Sequence, residues 1–304
     1  MKENRLYEGK LVEFHATDGA VLNGFLIRPK RARICVIYIH GLLGNFYSWK
    51  MPFLLANMIS KYNVGLLTMN TRGHDMAARV YRFKSGKKDR LLAGAGYEKF
   101  EDSEYDVDGA IVFLKTLGFK KVILVGYCTG CQKVVYYQSK IQQKDVLGLI
   151  LMAPTDNYDL FQKKLGKNFN AAIDLAKHMV KTGKGNSVNA MIPKHLSAKR
   201  FLSMVDTKNV EAQLLDYDGE LKAFSRIKTP ILTLFGSQDL YVKGWIKERI
   251  GLLEKKTKSN HFSATIVKNA QHNFIGYEGK VAKRIADFVL QIKNKQHENV
   301  RMTE

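Results

Sequence analysis

KVILVGYCTGCQKVVYY, residues 121–137, is the stretch that decides the fold. A short apolar strand pattern ends in Gly126-Tyr127-Cys128-Thr129-Gly130, and a helical pattern begins at once. Glycines at both ends, Gly126 and Gly130, let a strand and a helix pass close to one tight turn, and such a turn lifts its central side chain out of the sheet. The central residue here is Cys128. A helix N-terminus carries partial positive charge, which favours a thiolate, so Cys128 is the candidate nucleophile. Cys128 and Cys131 also form a C-x-x-C pair, a spacing used in thioredoxin-like redox proteins. Those chains are much shorter and lack the acid and histidine found further along this one. Cys131 reads more simply as a helix residue packed on the sheet, with oxidative control of Cys128 as a further option.

Working outward, buried-strand patterns recur at 34–39 (ICVIYI), 64–69 (VGLLTM), 147–152 (LGLILM), 230–235 (PILTLF) and 263–267 (SATIV). Continuous apolar runs of this length suit strands covered on both faces. Residues 10–17 and 21–29 alternate apolar and polar side chains around Asp18-Gly19 and read as an antiparallel edge hairpin. Helical patterns at 103–117 place Tyr105, Ala110, Ile111, Val112, Leu114 and Leu117 on or near one face. At 279–294 they do so with Val281, Ile285, Phe288, Val289 and Ile292. The alternation predicts an α/β fold: a mostly parallel sheet flanked by helices. Residues 155–228 interrupt it with helical patterns and no buried strand, so the sequence divides into a core of 1–154 and 229–304 and a helical cap insertion of 155–228. The basic run 79–90 (RVYRFKSGKKDR) reads as an exposed loop.

Three further features stand at strand ends. Strand 230–235 runs into Gly236-Ser237-Gln238-Asp239, which makes Asp239 the candidate acid, although a turn or helix cap before the 242–254 pattern is a competing role. Strand 263–267 leads to His272, the one histidine of eight that falls after the last strand and before the last helix. Strand 34–39 leads to His40-Gly41-Leu42, a turn whose exposed amides face the elbow. A charge-stabilising pair of amides from Leu42 and Thr129 is expected, with His40 and Gly41 supporting the loop. In the insertion, His195, Ser197 and Ser203 read as surface or packing residues.

Nucleophile, acid and histidine in this order resemble the α/β-hydrolase superfamily over roughly residues 10–295. The elbow Gly-Tyr-Cys-Thr-Gly-Cys-Gln resembles the G-H-S-T-G-C-Q elbow of siderophore-type esterases, which aligns Cys128 with their serine. A cysteine there is also similar to the Cys-His-Asp triad of dienelactone hydrolases. Asn70-Thr71-Arg72-Gly73-His74 resembles the D-x-R-G-x-G loop of many members, with Asn70 in place of aspartate. The resemblance implies that Cys128 attacks, His272 moves the proton and Asp239 orients His272.

Composition narrows the rest. Lysine and arginine total 49 against 28 acids, a net charge of +21. Such a surface attracts anions, but no lysine-aromatic pattern of a nucleic-acid module accompanies it, so no specific nucleic-acid partner is expected. Three cysteines, an odd and low count, argue against a disulfide framework, and no ligand set with metal spacing appears, so neither metal nor cofactor is expected. The start, MKENRLYE, is polar and lacks the apolar core of a signal peptide. No apolar run reaches the roughly 20 residues of a membrane helix. These features suggest a cytoplasmic protein. The expected partner is a small-molecule acyl ester or thioester, its acyl or alcohol portion anionic to suit the basic cap. The expected chemistry is hydrolysis through an acyl-cysteine. Acyl transfer to a non-water acceptor, and a catalytically silent ligand-binding protein on the same scaffold, are the alternatives.

Overall fold

The computed structural model describes residues 6–242 and 244–301, so the first five residues of the polar start lie outside it. The described residues form ten strands: β1 (Lys10–His15), β2 (Val21–Ile27), β3 (Ile34–Ile39), β4 (Val64–Met69), β5 (Ala78–Lys84), β6 (Lys87–Ala93), β7 (Lys121–Tyr127), β8 (Val146–Met152), β9 (Ile231–Gly236) and β10 (Phe262–Val267). Eight of them make one sheet in the order β1-β2-β4-β3-β7-β8-β9-β10. β1 and β2 pair antiparallel, β2 joins β4 antiparallel, and β4, β3, β7, β8, β9 and β10 run parallel. The expected mostly parallel sheet with an edge hairpin is therefore present.

Helices are α1 (Met51–Ile59), α2 (Ser103–Thr116), α3 (Thr129–Ile141), α4 (Asn157–Leu165), α5 (Phe169–Lys181), α6 (Ala198–Val205), α7 (Val210–Gln213), α8 (Ile246–Lys256) and α9 (Glu278–Arg301). α1 and α9 cover one face of the sheet, where Met51, Leu55, Val281, Ile285 and Phe288 meet Val36, Leu66 and Leu232. α2, α3 and α8 cover the other, through residues such as Ala110, Val134 and Leu253. Val281, Ile285, Phe288, Val289 and Ile292 are all buried, as their helical spacing requires, each contributing about 1.5–3 kcal/mol of apolar burial. On α2 the expected face is only partly right. Ala110, Ile111 and Leu114 are buried, but Tyr105 and Val112 are exposed. They lie on the outward side of a helix whose inward stripe also takes Val107.

Two further corrections concern local structure. The basic run 79–90 is no loop but the hairpin β5–β6, paired Tyr81↔Arg90 and Val80↔Leu91. Ser85 and Gly86 both take positive φ, at 51° and 74°, the geometry of a two-residue hairpin turn. Arg82 and Asp89 pair across the hairpin at 2.6 Å, and Lys88 lies 4.1 Å from the centre of the Tyr81 ring. Charge density masked an alternating strand pattern there. β10, read as a strand buried on both faces, is an edge strand with only Val267 fully buried.

Between β8 and β9, α4 to α7 occupy the stretch 155–228 with no strand. Phe161, Phe169, Ala172, Leu196, Phe201 and Met204 form a separate apolar cluster. Leu214, Leu215, Leu221 and Phe224 instead join the main core.

Candidate active site

β3 is the point where the chain order diverges: β4 lies on one side of it and β7 to β10 on the other. The carboxyl edge beside such a point leaves a crevice between loops that part in opposite directions. The loop after β3 and the elbow after β7 meet there. Gly126 is the last residue but one of β7, and a Cβ on it would stand 2.4 Å from the carbonyl oxygen of Gly130. That contact shows how tightly strand and helix pass. Gly41 is constrained in the same way, since its Cβ would lie 2.9 Å from that of Cys128. Cys128 itself sits at φ 51°, ψ −118°, immediately before α3. A side chain in that region costs about 1–3 kcal/mol of backbone strain, typical of a functional turn.

His272 and Asp239 arrive from the loops after β10 and β9. The His272 Nδ1–H donates to Asp239 Oδ2 at 2.8 Å. Asp239 is wholly buried, and its Oδ1 accepts the Tyr241 amide at 3.0 Å. With both carboxylate oxygens committed, the acid holds the imidazole in one tautomer and orientation. The His272 Nε2 is buried and has no hydrogen-bond partner among the described residues, yet His272 and the Cys128 thiol shift each other's ionisation. Burial opposes ionisation of Cys128, but the His272 cation and the Thr129 amide outweigh it and lower the thiol pKa below its usual value. Burial likewise disfavours the His272 cation. The Cys128 thiolate and the Asp239 bond overcome this and raise His272 to about 10. Both shifts favour a thiolate–imidazolium pair. Tyr241 packs edge-on to the His272 ring at 4.6 Å, and Tyr127 lies 5.6 Å away.

The His40 loop behaves as a brace. His40 Nδ1–H donates to the Gly41 carbonyl at 2.8 Å, so its Nε2 accepts the Thr71 amide at 3.2 Å. Burial, then the nearby Lys133 charge, lower His40 to about 3, which keeps it neutral. Leu42 and Thr129 both line the cleft beside Cys128. The Thr129 amide, at the first turn of α3, faces the thiol, and the Leu42 amide donates to no group among the described residues. Cys131 is buried beneath the elbow, its thiol donating to the Gly126 and Met152 carbonyls at 3.2 and 3.3 Å. Burial raises its pKa well above the usual value. All three cysteines are free.

The elbow opens into a cleft of about 590 Å³ between the sheet edge and the inserted helices. Leu160, Phe161 and Met204 supply apolar walls, while Lys163, Lys164 and His195 stand at its side. Ser197 instead caps α6 by accepting the Arg200 amide, and Ser203 donates to Glu211. A second cavity, of about 360 Å³ beside Asp156, Tyr217 and Arg249, contains none of the elbow residues.

Several neighbours of the site escape a reading of the sequence. Lys133 lies on the buried face of α3 and donates to Glu98 at 2.7 Å and to Thr71 at 2.9 Å. Arg200 on α6 reaches the same Glu98 at 3.2 Å and pairs with Glu211. One buried carboxylate therefore ties the elbow helix to the insertion. The signal was a lysine inside the apolar face of α3, but its partners are 35 and 62 residues distant from it. Arg72 similarly binds Asp18, Asp102 and Asp106, while Asn70 Oδ1 accepts the Phe46 amide at 2.9 Å. Among the described residues, no group of three or more His, Cys, Asp or Glu side chains is arranged to hold a metal ion, and no helix is long and apolar enough to cross a membrane.

Similar solved structures share this architecture. Siderophore hydrolase EstB from Aspergillus fumigatus superposes with a TM-score of 0.69 at 15% identity, covering 94% of this chain and 98% of that one. Est1E from Butyrivibrio proteoclasticus, solved with ferulic acid, gives 0.62 at 16% identity over 93% and 100%. An esterase from Pyrococcus furiosus gives 0.61 at 17% over 94% and 91%. At these identities the likeness establishes the fold. Among curated proteins, no sequence matches the chain. A family described as "Protein of unknown function (DUF1749)" matches residues 91–292, more than half of the sequence. The chain has the α/β-hydrolase fold and belongs to the DUF1749 family.

Proposed function

We propose that the protein is an acyl hydrolase that cleaves an ester or thioester through Cys128, His272 and Asp239. The observation that carries this reading is the 2.8 Å bond from His272 to a buried Asp239, with the opposite imidazole nitrogen serving Cys128 at the floor of the cleft. The names of the structural neighbours, esterases and a siderophore hydrolase, agree with ester chemistry.

The reaction runs in two halves. The Cys128 thiolate adds to the carbonyl carbon, and the carbonyl electron pair moves to oxygen. The Leu42 and Thr129 amides hold that oxyanion, an effect typically worth about 3–4 kcal/mol for one lost donor. The tetrahedral species collapses, and the His272 Nε2 proton passes to the departing oxygen or sulfur, leaving an acyl-cysteine. Water then gives a proton to His272 and adds to the acyl carbon. Breaking the carbon–sulfur bond releases the acid and restores the thiolate–imidazolium pair. Asp239 keeps Nδ1 protonated throughout. His40, buried and neutral, acts only by fixing the loop that carries Leu42.

Residues 155–228 serve as the cap of this site, walling the cleft with Leu160, Phe161 and Met204. Lys163 is paired with Asp159 at 2.8 Å, which leaves Lys164 the freer cation beside the cleft. An anionic group on the acyl or alcohol portion fits that placement. Free thiols suit a reducing compartment, and we place the protein in the cytoplasm on that ground.

The test is turnover of a panel of p-nitrophenyl esters and acyl thioesters by the wild type, Cys128→Ala and Cys128→Ser. Release of product by the wild type and not by Cys128→Ala is expected. Equal rates in both would sink the proposal.

A further inference from the structure

The hairpin β5–β6 forms a two-stranded sheet of its own, and its two faces differ. Strand alternation and the pairing register put Val80, Arg82, Asp89 and Leu91 on one face. That face is fixed to the molecule. Val80 is buried, Leu91 packs against the main core, and Arg82 pairs with Asp89 and bridges to Ala20. The other face carries three cross-strand pairs: Arg79 with Leu92, Tyr81 with Arg90, and Phe83 with Lys88. All six of these residues are exposed. Each pair sets one cation beside one apolar group. The face holds no carboxylate, since Asp89, the one acid of the hairpin, lies on the opposite side.

Leu92 is 50% exposed, Phe83 46% and Tyr81 38%. Tyr81 neighbours Phe83 along its strand and Leu92 on the cross-strand diagonal. Large apolar side chains grouped in this way and turned to water mark an interaction surface. The cations decide its kind. Lys88 lies 4.1 Å from the centre of the Tyr81 ring and 5.5 Å from that of Phe83, and Arg90 lies 4.9 Å from Tyr81. Phe83 also stacks on His15 at 5.8 Å. Rings engaged by these neighbours are poorly placed to stack on nucleobases, which is how basic aromatic surfaces hold single strands, and an aliphatic Leu92 adds nothing to such binding. An anionic lipid surface uses all six side chains. Its headgroups attract Arg79, Lys88 and Arg90, while Tyr81, Phe83 and Leu92 enter the boundary between headgroups and acyl chains. The hairpin also lies toward the end of the molecule that holds the cleft. It follows β4 at the carboxyl edge of the sheet, and the chain leaving it is stitched to the cap. The Ser197 amide donates to the Gly96 carbonyl at 3.0 Å, and a Cβ on Gly96 would stand 2.5 Å from the carbonyl oxygen of His195, a residue that lines the cleft.

We propose that the outer face of β5–β6 docks the protein on an anionic lipid surface, its three cations on the headgroups and its three apolar side chains in the interface. The docking is independent of the chemistry at Cys128. The full chain is sedimented with vesicles of phosphatidylcholine alone, and with vesicles carrying roughly 30% phosphatidylserine, at about 0.15 M salt. Binding to the anionic vesicles is expected, and at least about tenfold weaker binding to the neutral ones. Lys88→Glu with Arg90→Glu should weaken it about twentyfold or more, at roughly fivefold for each cation lost. Phe83→Ser with Leu92→Ser leaves the charge unchanged and should still weaken it about tenfold. Arg31→Glu with Lys120→Glu makes the same charge change in a basic hollow at the amino edge of the sheet, and should alter binding by no more than about threefold, because salt screens distant charges. Urea midpoints matching the wild type establish that each variant is folded. No binding to the anionic vesicles, or an equal loss in the Arg31 and Lys120 variant, overturns the proposal and leaves the charge of the whole molecule as the cause. Undiminished binding by the Phe83 and Leu92 variant overturns it too, and makes the face a general polyanion surface that poly-uridylate would occupy equally in both proteins. Cys128→Ala should bind vesicles as tightly as the wild type, so failure of the docking surface and failure of the hydrolase reading are told apart.

Discussion

Replacing His272 with alanine removes the cation that sustains the Cys128 thiolate. In the intact site, burial pushes the thiol up and the His272 charge more than offsets it, lowering the pKa from its usual 9.0. The reciprocal effect on His272, from 6.5 to about 10 against the cost of burial, corresponds to about 5 kcal/mol of preference for the charged imidazole. That preference is divided between Cys128 and Asp239. Without the imidazole, only the Thr129 amide is left to oppose burial, and the thiol pKa rises. At pH 7 even an ordinary free thiol is only about 3% ionised. Alkylation of Cys128 by iodoacetamide, followed by intact mass and peptide mapping, reads the thiolate directly. His272→Ala should slow it about ten- to hundredfold at pH 7 and move the rate–pH profile up by roughly a unit or more. Asp239→Asn should fall between, about tenfold slower, since it weakens the imidazolium without deleting it. The wild-type rate should stay flat between the depressed thiol pKa and about pH 10, where His272 gives up its proton. A variant lacking His272 that alkylates as fast as the wild type, with the same profile, would refute the ion pair.

Three more predictions follow from the same geometry. Glu98→Ala leaves Lys133 and Arg200 buried without their shared carboxylate, and urea unfolding should show a loss of about 3–5 kcal/mol. Lys164→Ala should lower kcat/KM for a glutaryl ester relative to a butyryl ester by about three- to tenfold at low salt, with the difference fading at high ionic strength. Asp156, buried at the start of α4, has its pKa raised from 3.8 to about 6, chiefly by burial. The folded state then holds a proton that the unfolded state has released. This favours folding fully below pH 3.8 and is lost as pH rises through about 6. The stability of the wild type relative to Asp156→Asn, from urea titrations at pH 4 and pH 7, should accordingly fall by up to about 3 kcal/mol as pH rises.

The elbow was legible because its physics is local. A buried strand, two glycines and a helix start are consecutive in the chain, and their consequence is the strained φ of 51° at Cys128. Asp239 and His272 could be proposed from order alone, because each follows an apolar strand. Nothing in the sequence fixes the 2.8 Å bond between them. The hairpin at 78–93 was hidden by its lysines and arginines, although the Ser85-Gly86 turn and alternating Tyr81 and Phe83 were there to be read. Long-range polar partners were the least visible. Glu98, Lys133 and Arg200 are separated by 35 to 102 residues, and no periodicity signals which buried charges meet.

Acyl capture on Cys128 tests the central claim most directly. The protein is mixed with a p-nitrophenyl ester, quenched in acid within the first turnover, and weighed intact, with the modified peptide then mapped. The account predicts a gain of one acyl mass on the peptide carrying Cys128, absent in Cys128→Ala and persisting longer when His272 is replaced and deacylation slows. Turnover that continues in Cys128→Ala, or an acyl group found on any other residue while Cys128 stays free, would contradict it.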